Sequence, residues 1–379
     1  MKGRTVALII VLLLIAGAVW YIESQKPDIP ESEPTITPTL RGGALESTSP
    51  KVQMTLDEKA KKYPVAPDFI PTGEWINSEP LTIAGLRGKV VLVDFWTYSC
   101  INCIRTLPYL TSWDAKYRDA GLVIVGSHTP EFEFEKDIEN VKRAMEKHGI
   151  AYPVFQDNEF RTWRAYRNQY WPHKYLVDID GFIRFDHIGE GGYVETEELI
   201  QELLKERMQR MGEVMDVEKP ITTPEDVQEV DFGKIRTPEL YFGYAFRRHA
   251  GGNEEGYPPE KTVEYLEPKN RGVNIPYMEG TWNNQEDFMQ LEIGTGKVYL
   301  TYNAKSVNIV ASSDAGSTVE VLVDGVLVDA NAGSDVVDGS VSVADERLYN
   351  VVMSDDYEPH ELELRISGKG FRIYTFTFG

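Results

Sequence analysis

The chain has 379 residues with 60 Asp or Glu against 39 Lys or Arg, and its formal net charge at pH 7 is −21. Nucleic acid and anionic membrane surfaces repel so negative a protein, so we expect no nucleic-acid partner. The only two cysteines are Cys100 and Cys103.

An uncharged apolar segment stands near the N-terminus, at residues 6–22, after two basic residues. At about 1.5 Å per residue it spans about 25 Å, enough for a single transmembrane helix. Trp20 and Tyr21 stand where interfacial aromatic side chains are common, and the preceding positive charge favours export of the remainder of the chain. We expect residues 1–22 to be a signal anchor in the cell membrane, with the soluble domains on the extracytoplasmic side.

The alternative for this segment is a cleaved signal peptide, since Ala16-Gly17-Ala18 fits a small-residue cleavage site. The protein would then be secreted or periplasmic. In either case the compartment is oxidising, where stray thiols would cross-link, which explains why only two cysteines occur.

A stretch rich in Pro, Ser, Thr and Glu follows at residues 23–62. This composition predicts a disordered linker, with room for a short helix at 56–62. From residue 63 to residue 208 the pattern alternates between strand and helix, which predicts an α/β domain. Apolar runs at 90–95 and 122–125 indicate buried strands.

Two helices are predicted in this domain. One covers residues 139–148, and the other covers 196–208 with Thr196 as its N-cap.

The two cysteines form a C-x-x-C motif between the apolar run at 90–95 and a segment of helical periodicity. We therefore place Cys100 at a helix N-terminus, where unpaired backbone N–H groups and the helix dipole stabilise a thiolate. Cys100 is then the attacking thiolate, and Cys103, one turn along, resolves the mixed disulfide. A structural staple is a weak alternative because the pair closes almost no loop, and no second pair of ligands completes a zinc site. We expect a reversible Cys100–Cys103 disulfide and neither a metal nor another cofactor.

Several phrases of the sequence resemble the thioredoxin-like TlpA/redoxin family, and within it the thioredoxin and C-terminal part of the DipZ group. They are Asp94-Phe95-Trp96, the motif Trp96-Thr-Tyr-Ser-Cys-Ile-Asn-Cys103, Pro108, His128-Thr-Pro-Glu-Phe132, Trp171-Pro172, Gly189-Glu-Gly-Gly-Tyr193 and the ending Tyr374-Thr-Phe-Thr-Phe-Gly379. The resemblance covers roughly residues 63–379. It implies a thioredoxin fold of the redoxin type, in which a helix and a strand are inserted between the cysteines and Pro172.

The resemblance also implies roles for single residues. Asp94 matches the buried acid that takes the proton of the second cysteine, and burial at its strand position would raise its pKa. Pro172 matches a cis-proline that faces the cysteine pair. Around the motif we expect a substrate surface made by Trp96, Thr97, Tyr98, Ser99 and Trp171; for Trp96, packing in the core is an equal alternative.

Two polar residues, His128 and Glu190, fall in predicted loops after apolar strands, where active-site residues of α/β sheets collect. A structural role in those loops is the competing interpretation. A copper site made of Cys100, Cys103 and His173 is a further alternative, although related copper chaperones space their cysteines more widely.

Residues 209–236 lack periodicity and are expected to be a linker, after which the pattern changes. Short alternating runs predict strands at 289–293, 298–302, 307–311, 318–323, 348–352, 362–366 and 371–378. Asp324-Gly325 is the signal of a two-residue hairpin. We therefore expect residues 237–379 to form an all-β sandwich, jelly-roll-like and similar to a carbohydrate-binding module.

The β domain has two candidate ligand sites. Its aromatic residues could form a glycan platform or fill the core: Tyr241, Phe242, Tyr244, Phe246, Tyr257 and Trp282. Its Asp-rich turns could hold Ca²⁺ or be ordinary turns: Asp324, Asp329, Asp335 and Asp338.

These features together predict a membrane-anchored thiol–disulfide oxidoreductase that acts on protein dithiols or disulfides. Asp94 opposes the thiolate, and no cation lies between the cysteines, which favours a reductant. The family resemblance implies a role in envelope redox homeostasis or cytochrome c maturation. DipZ proteins usually carry a CcdA-like membrane domain that these 379 residues lack. We therefore expect a separate membrane electron donor of that kind.

Two other functions fit parts of the sequence. Thr97 and Cys100 match part of a peroxiredoxin signature and so suggest a thiol peroxidase, although Val93 replaces the proline of that signature. A glycan- or protein-binding envelope protein with an accessory redoxin domain is the other alternative.

Overall fold

A computed structural model describes residues 54–225, 227–228, 230–246 and 251–379. The expected signal anchor at 1–22 and most of the linker at 23–62 lie outside the described residues. Within the described part, none of the helices combines the length and the apolar character that crossing a bilayer requires.

The N-terminal part of the described chain is built from alternating helices and strands. Its helices are α1 (Leu56–Lys62), α2 (Ile101–Tyr117), α3 (Ile138–Lys147), α4 (Arg161–Ala165) and α5 (Tyr193–Met211), with a 3-10 turn at Glu133–Lys136. Its strands are β1 (Trp75–Ile76), β2 (Val90–Trp96), β3 (Leu122–His128), β4 (Val154–Gln156), β5 (His173–Val177) and β6 (Ile183–Ile188).

These six strands form one sheet in the order β1-β4-β3-β2-β5-β6. The strands β2, β3 and β4 are parallel, whereas β5 and β6 form an antiparallel hairpin beside β2. A parallel βαβ unit followed by a helix, a hairpin and a last helix is the thioredoxin-like fold that the sequence predicts. Helix α3 and strand β4 lie between β3 and α4.

Side chains of the central strand β2 alternate between two cores, as strand geometry requires. Val90, Leu92 and Trp96 belong to a cluster with residues of α2 and α5, whereas Val91, Val93 and Phe95 belong to a cluster on the opposite face. Asp94 therefore points to the same face as Val90, Leu92 and Trp96. The buried Cys103 of α2 belongs to that cluster.

Helix α1 shows that the end of the expected linker is ordered. Thr55 caps the helix with its side chain, and Lys59 is fully buried. The Lys59 Nζ atom lies 2.8 Å from Asp178, 2.6 Å from Asp180 and 2.5 Å from Glu206. These three carboxylates are close enough together to hold a metal ion. The ammonium group occupies the space between them and attaches α1 to the loop after β5 and to α5.

Two local predictions need correction. Helix α5 begins at Tyr193 with Gly192 as N-cap, and Thr196 is a buried residue of its first turn whose hydroxyl donates to the Gly192 carbonyl at 2.6 Å. Gly192 adopts a φ of 61°, a conformation that glycine takes more readily than other residues. The helix can therefore begin directly after it, before the predicted start at Thr196. His128 is the last residue of β3, because its strand pairing with Trp96 extends beyond the apolar run.

The C-terminal part is an all-β structure, as the sequence predicts. Its strands are β7 (Leu240–Tyr241), β8 (Thr262–Tyr265), β9 (Tyr277–Asn284), β10 (Met289–Asn303), β11 (Ser306–Ser313), β12 (Ser317–Val323), β13 (Val326–Leu327), β14 (Ser340–Val343), β15 (Arg347–Met353), β16 (Pro359–Ser367) and β17 (Phe371–Phe378). All belong to one antiparallel sheet around a single core. Each of the seven predicted runs is a strand or part of one.

Two details of this sheet follow directly from sequence. Val323 pairs with Val326, and Asp324 and Gly325 between them have φ values of 53° and 79°, as the predicted two-residue hairpin requires. The runs at 289–293 and 298–302 belong to one long strand, β10. The strand pairs with β9 on both sides of a register shift between Leu291 and Gly296.

The β part packs directly against the α/β part. The ring of Tyr374 on β17 lies 5.3 Å from that of Phe132 and 4.7 Å from that of Phe134, and both phenylalanines follow β3. Val310 and Leu348 of the β part belong to the core cluster of the α/β part that contains Phe132 and Phe134. Thr222, in the expected linker, donates a backbone hydrogen bond of 2.6 Å to Glu197 of α5.

Candidate active site

The two cysteines differ sharply in accessibility. Cys100 is the N-cap of α2 and is partly exposed, whereas only 1% of Cys103 is accessible. Both are free thiols, and the Cys103 backbone N–H donates to the Cys100 sulfur at 3.4 Å. The Cys100 sulfur thus lies at the N-terminal end of α2, where a backbone N–H group faces it. Only Cys100 can meet another protein first.

Cys103 is held as a neutral thiol. Burial raises the pKa of Cys103 well above the ordinary value, and its contacts with Cys100 and the nearby charge of Asp94 raise it further. A thiol with a raised pKa needs a base before it can attack as a thiolate.

Asp94 is the carboxyl group that the fold places behind Cys103. It is buried on the shared face of β2, and burial raises the pKa of Asp94 to about 7, against the opposing charge of Lys174. Its Oδ1 atom has no hydrogen-bond partner among the described residues. A carboxyl group with this pKa can accept and release a proton near neutral pH.

Lys174 is a site residue that the sequence analysis missed. It stands directly opposite Asp94 in the pairing of β2 with β5, and it is fully buried. Its Nζ atom donates to the Gly189 carbonyl at 3.2 Å. Burial lowers the pKa of Lys174, while the charges of Asp94, Cys103 and Glu190 act in the opposite direction. The available signal was a lysine directly before the apolar run Tyr175-Leu176-Val177.

Glu190 lies in the loop after β6 and belongs to the same charged group. Its Oε2 atom accepts from Arg105 Nε at 2.8 Å, and Arg105 stands two residues after Cys103 on α2. Burial raises the pKa of Glu190, and the charges of Arg105 and Lys174 oppose this. The structure thus brings Glu190 close enough to Lys174 for their charges to interact.

The expected substrate surface around Cys100 needs correction. All four residues before Cys100 are buried: Trp96, Thr97, Tyr98 and Ser99. Trp96 and Tyr98 pack against the buried His128. Ser99 is bound by Glu135, a buried carboxylate of the 3-10 turn that accepts from the Ser99 hydroxyl at 2.6 Å and from the Ser99 N–H at 3.3 Å. Burial raises the pKa of Glu135, while these hydrogen bonds lower it. The segment is therefore an inner support for Cys100.

Glu135 is the second residue that the sequence analysis missed. It also accepts from the Phe132 N–H at 3.0 Å and from the Glu131 N–H. One carboxylate thus fixes both the motif loop and the chain after β3. An acidic residue among charged neighbours carries no sequence signal of burial.

Pro172 immediately precedes β5, and the Trp171–Pro172 peptide bond is cis, as expected. Phe95 pairs with His173, so Pro172 lies level with Trp96 at the end of β2. The half-buried Trp171 donates from its indole nitrogen to the Thr129 carbonyl at 3.0 Å, and the Thr129 N–H donates to the Trp96 carbonyl at 3.0 Å. The motif loop and Trp171 are therefore joined through Thr129.

His128 supports the motif from inside the fold. It is fully buried, and its ring stacks on Tyr98 at 5.7 Å and meets Trp96 edge-on at 5.1 Å. Burial lowers the pKa of His128 to about 3, so the ring is neutral at physiological pH. A neutral, enclosed ring fits the structural interpretation of this residue.

Three of the other candidate ligand residues, His173, Asp324 and Asp335, have protein partners. His173 bonds to Asn168 at 2.6 Å and to Asp186 at 3.0 Å. Asp324 bonds to His360 at 2.7 Å, and Asp335 bonds to Arg347 at 2.8 Å.

The aromatic residues that could have formed a glycan platform divide between core and surface. Phe242 and Trp282 are buried in the β core, and Tyr257 packs against it.

A partly exposed thiol at a helix N-terminus, a buried thiol one turn along and a buried carboxyl with a pKa near neutrality, all on a thioredoxin-like sheet, define a thiol–disulfide oxidoreductase.

The similarity to known proteins agrees with this class. Residues 64–186 match the AhpC/TSA family, and residues 237–379 match the thioredoxin-like C-terminal domain family. Protein DipZ of Mycobacterium tuberculosis is 34% identical over 317 residues, which are 83% of this chain and 43% of DipZ. The chain thus spans less than half the length of that relative.

Two smaller relatives match along almost their whole length. Thiol-disulfide oxidoreductase YkuV of Bacillus subtilis is 31% identical over 137 residues, which are 36% of this chain and 92% of YkuV. Thiol-disulfide oxidoreductase ResA of Bacillus thuringiensis is 25% identical over 204 residues, 54% of this chain and 96% of ResA. The chain belongs to the thioredoxin-like thiol–disulfide oxidoreductase family.

Proposed function

We propose that this protein reduces disulfides of other exported proteins, with Cys100 as the attacking thiolate, Cys103 as the resolving thiol and Asp94 as the proton acceptor. The observation that carries the proposal is the contrast between the two sulfurs. Cys100 is partly exposed at the N-cap of α2, and Cys103 is buried beside a carboxyl group.

The reaction begins when the Cys100 thiolate attacks one sulfur of a substrate disulfide. A new S–S bond joins Cys100 to the substrate, and the second substrate sulfur leaves as a thiolate that takes a proton from solvent. Asp94 then accepts the proton of Cys103, and the Cys103 sulfur attacks Cys100. The substrate leaves fully reduced, and its two electrons come from the pair, which becomes the Cys100–Cys103 disulfide.

Regeneration requires two electrons from another dithiol. We propose a separate membrane electron donor of the CcdA-like kind, and an N-terminal anchor that keeps this protein on the extracytoplasmic side of the membrane. The uncharged segment at 6–22 supports the anchor. Envelope redox homeostasis and cytochrome c maturation are the candidate pathways.

A thiol peroxidase is the second candidate function, favoured by the match of residues 64–186 to the AhpC/TSA family. The buried Cys103 one helical turn from Cys100 argues for disulfide exchange. Peroxide consumption by the purified protein, compared with its reduction of a model disulfide, separates the two activities.

The direct test is to trap the mixed disulfide. Cys103→Ser removes the resolving thiol, so substrate proteins should accumulate covalently on Cys100, to be identified by mass spectrometry after release with reductant. Cys100→Ser is the matched control and should trap little, because Cys103 is buried. Equal trapping by both variants, or none by either, would reverse or refute the assigned roles.

A further inference from the structure

A cavity of about 640 Å³ lies between the α/β part and the β part, and Trp171 lines it. One wall comes from the chain after β3, including Phe132, and the other from the β part, including Tyr241 and Phe288. Its volume lies in the range of about 300 to 1,000 Å³ that is typical of ligand sites. The β part thus supplies half of a cavity that starts one residue before Pro172.

Carboxylates surround these aromatic rings. Among the described residues, Glu131, Glu133, Glu286 and Asp287 line the cavity together with one lysine, Lys136, which is paired with Glu133. Arg247 and Arg248 directly follow the lining residue Phe246 in the sequence, but they lie outside the described residues.

The carboxylates are crowded where the two walls meet. Asp287, on the β side, accepts from the Glu133 N–H at 3.4 Å, and the hydroxyl of Tyr241 donates to Glu131 at 2.8 Å. Burial raises the pKa of Asp287, and the charges of Glu286 and Glu133 raise it further. A cation placed here would relieve the repulsion between these groups and also meet aromatic faces.

We infer that this cavity binds the part of a protein substrate that flanks its reactive cysteine, and that it selects segments carrying Arg or Lys beside apolar residues. The inference rests on the proposed function. Pro172 lies level with Trp96, four residues before Cys100, and Trp171 lines the cavity. In this proposal the chain that adjoins a substrate sulfur joined to Cys100 therefore continues past Trp171 into the cavity. The β part is then a specificity element of the oxidoreductase.

The test uses two disulfide-linked peptides of the same sequence, one with Arg and one with Glu beside the cysteine, and the reduced full-length protein. We expect kcat/KM for the Arg peptide to exceed that for the Glu peptide by about tenfold at low salt, with a smaller ratio at high salt. The double variant E286Q/D287N should reduce the ratio to about twofold. The matched control E320Q/E361Q removes two exposed carboxylates of β12 and β16 and should leave it unchanged.

Equal rates for both peptides, or an unchanged ratio in E286Q/D287N, would overturn the inference. An R247A/R248A variant that accelerates the Arg peptide would show that the cavity holds the chain's own basic residues, which would also overturn it. Reduction of the neutral 2-hydroxyethyl disulfide reports the redox function alone and should be equal in the wild type and in E320Q/E361Q. If the wild type fails to reduce 2-hydroxyethyl disulfide, the proposed function fails. The cavity is then tested by comparing the affinities of the Arg and Glu peptides with Ser in place of Cys.

Discussion

Asp94 and Lys174 face each other across the pairing of β2 with β5, and both are buried. Burial disfavours the charged form of each, and the charge of each partner favours it. The balance leaves the pKa of Asp94 at about 7, where a proton acceptor for Cys103 is effective.

Lys174→Met should shift the pH profile of the Cys103-dependent step to higher pH. Removing the cation leaves burial unopposed, so the pKa of Asp94 rises, by on the order of one unit. The measurement is the single-turnover release of substrate thiol from the Cys100 mixed disulfide across pH 5 to about 9. The exposed Lys269→Met is the control, and a K174M profile that coincides with the wild-type profile would contradict this role of Lys174.

Asp94→Asn should stabilise the reduced protein at neutral and higher pH. The pKa of Asp94 is about 7 in the folded state against an ordinary value of 3.8, so the folded state alone holds the proton between these values. The wild type therefore loses stability as pH rises from about 4 to about 7. Above pH 7, this loss in the free energy of unfolding of the wild type, which Asp94→Asn does not share, approaches about 4 kcal/mol. Urea unfolding at pH 5 and pH 8 measures it, with Asp355→Asn as an exposed control; a gap that does not widen with pH would refute it.

Iodoacetamide should modify Cys100 well before Cys103 in the folded, reduced protein. Cys100 is partly exposed at the helix N-terminus, whereas burial raises the pKa of Cys103 and excludes the reagent. Peptide mass spectrometry at timed intervals gives both rates, and in 6 M guanidinium chloride the two rates should converge. Similar rates in the folded state would show that Cys103 is not protected.

Glu135→Ala should destabilise the protein by about 2 to 4 kcal/mol, because it leaves the buried N–H groups of Ser99 and Phe132 without their acceptor. Glu135→Gln keeps one acceptor oxygen and should cost less. Urea unfolding measures both, and Glu133→Gln, whose side chain is 77% exposed, is the control. If E135A unfolds like the control, the motif loop does not depend on this carboxylate.

The sequence by itself determined the elements whose signals are local. Apolar periodicity and the spacing of Cys100 and Cys103 place a strand, a turn and a helix N-terminus in order. Alternation and turn residues predict the β part, down to the hairpin at Asp324-Gly325. These features depend on a few neighbouring residues, and each is present in the structure.

Only the tertiary structure decided which distant side chains meet. Glu135 reaches Ser99 across 36 positions, and Lys174 meets Asp94 only because β5 pairs with β2 in one register. The burial of Trp96 to Ser99 and the acidic cavity beside Trp171 likewise arise from packing of segments far apart in the chain. A single sequence does not record such pairings, because the free energy of burying a charge depends on the neighbours that the fold brings to it.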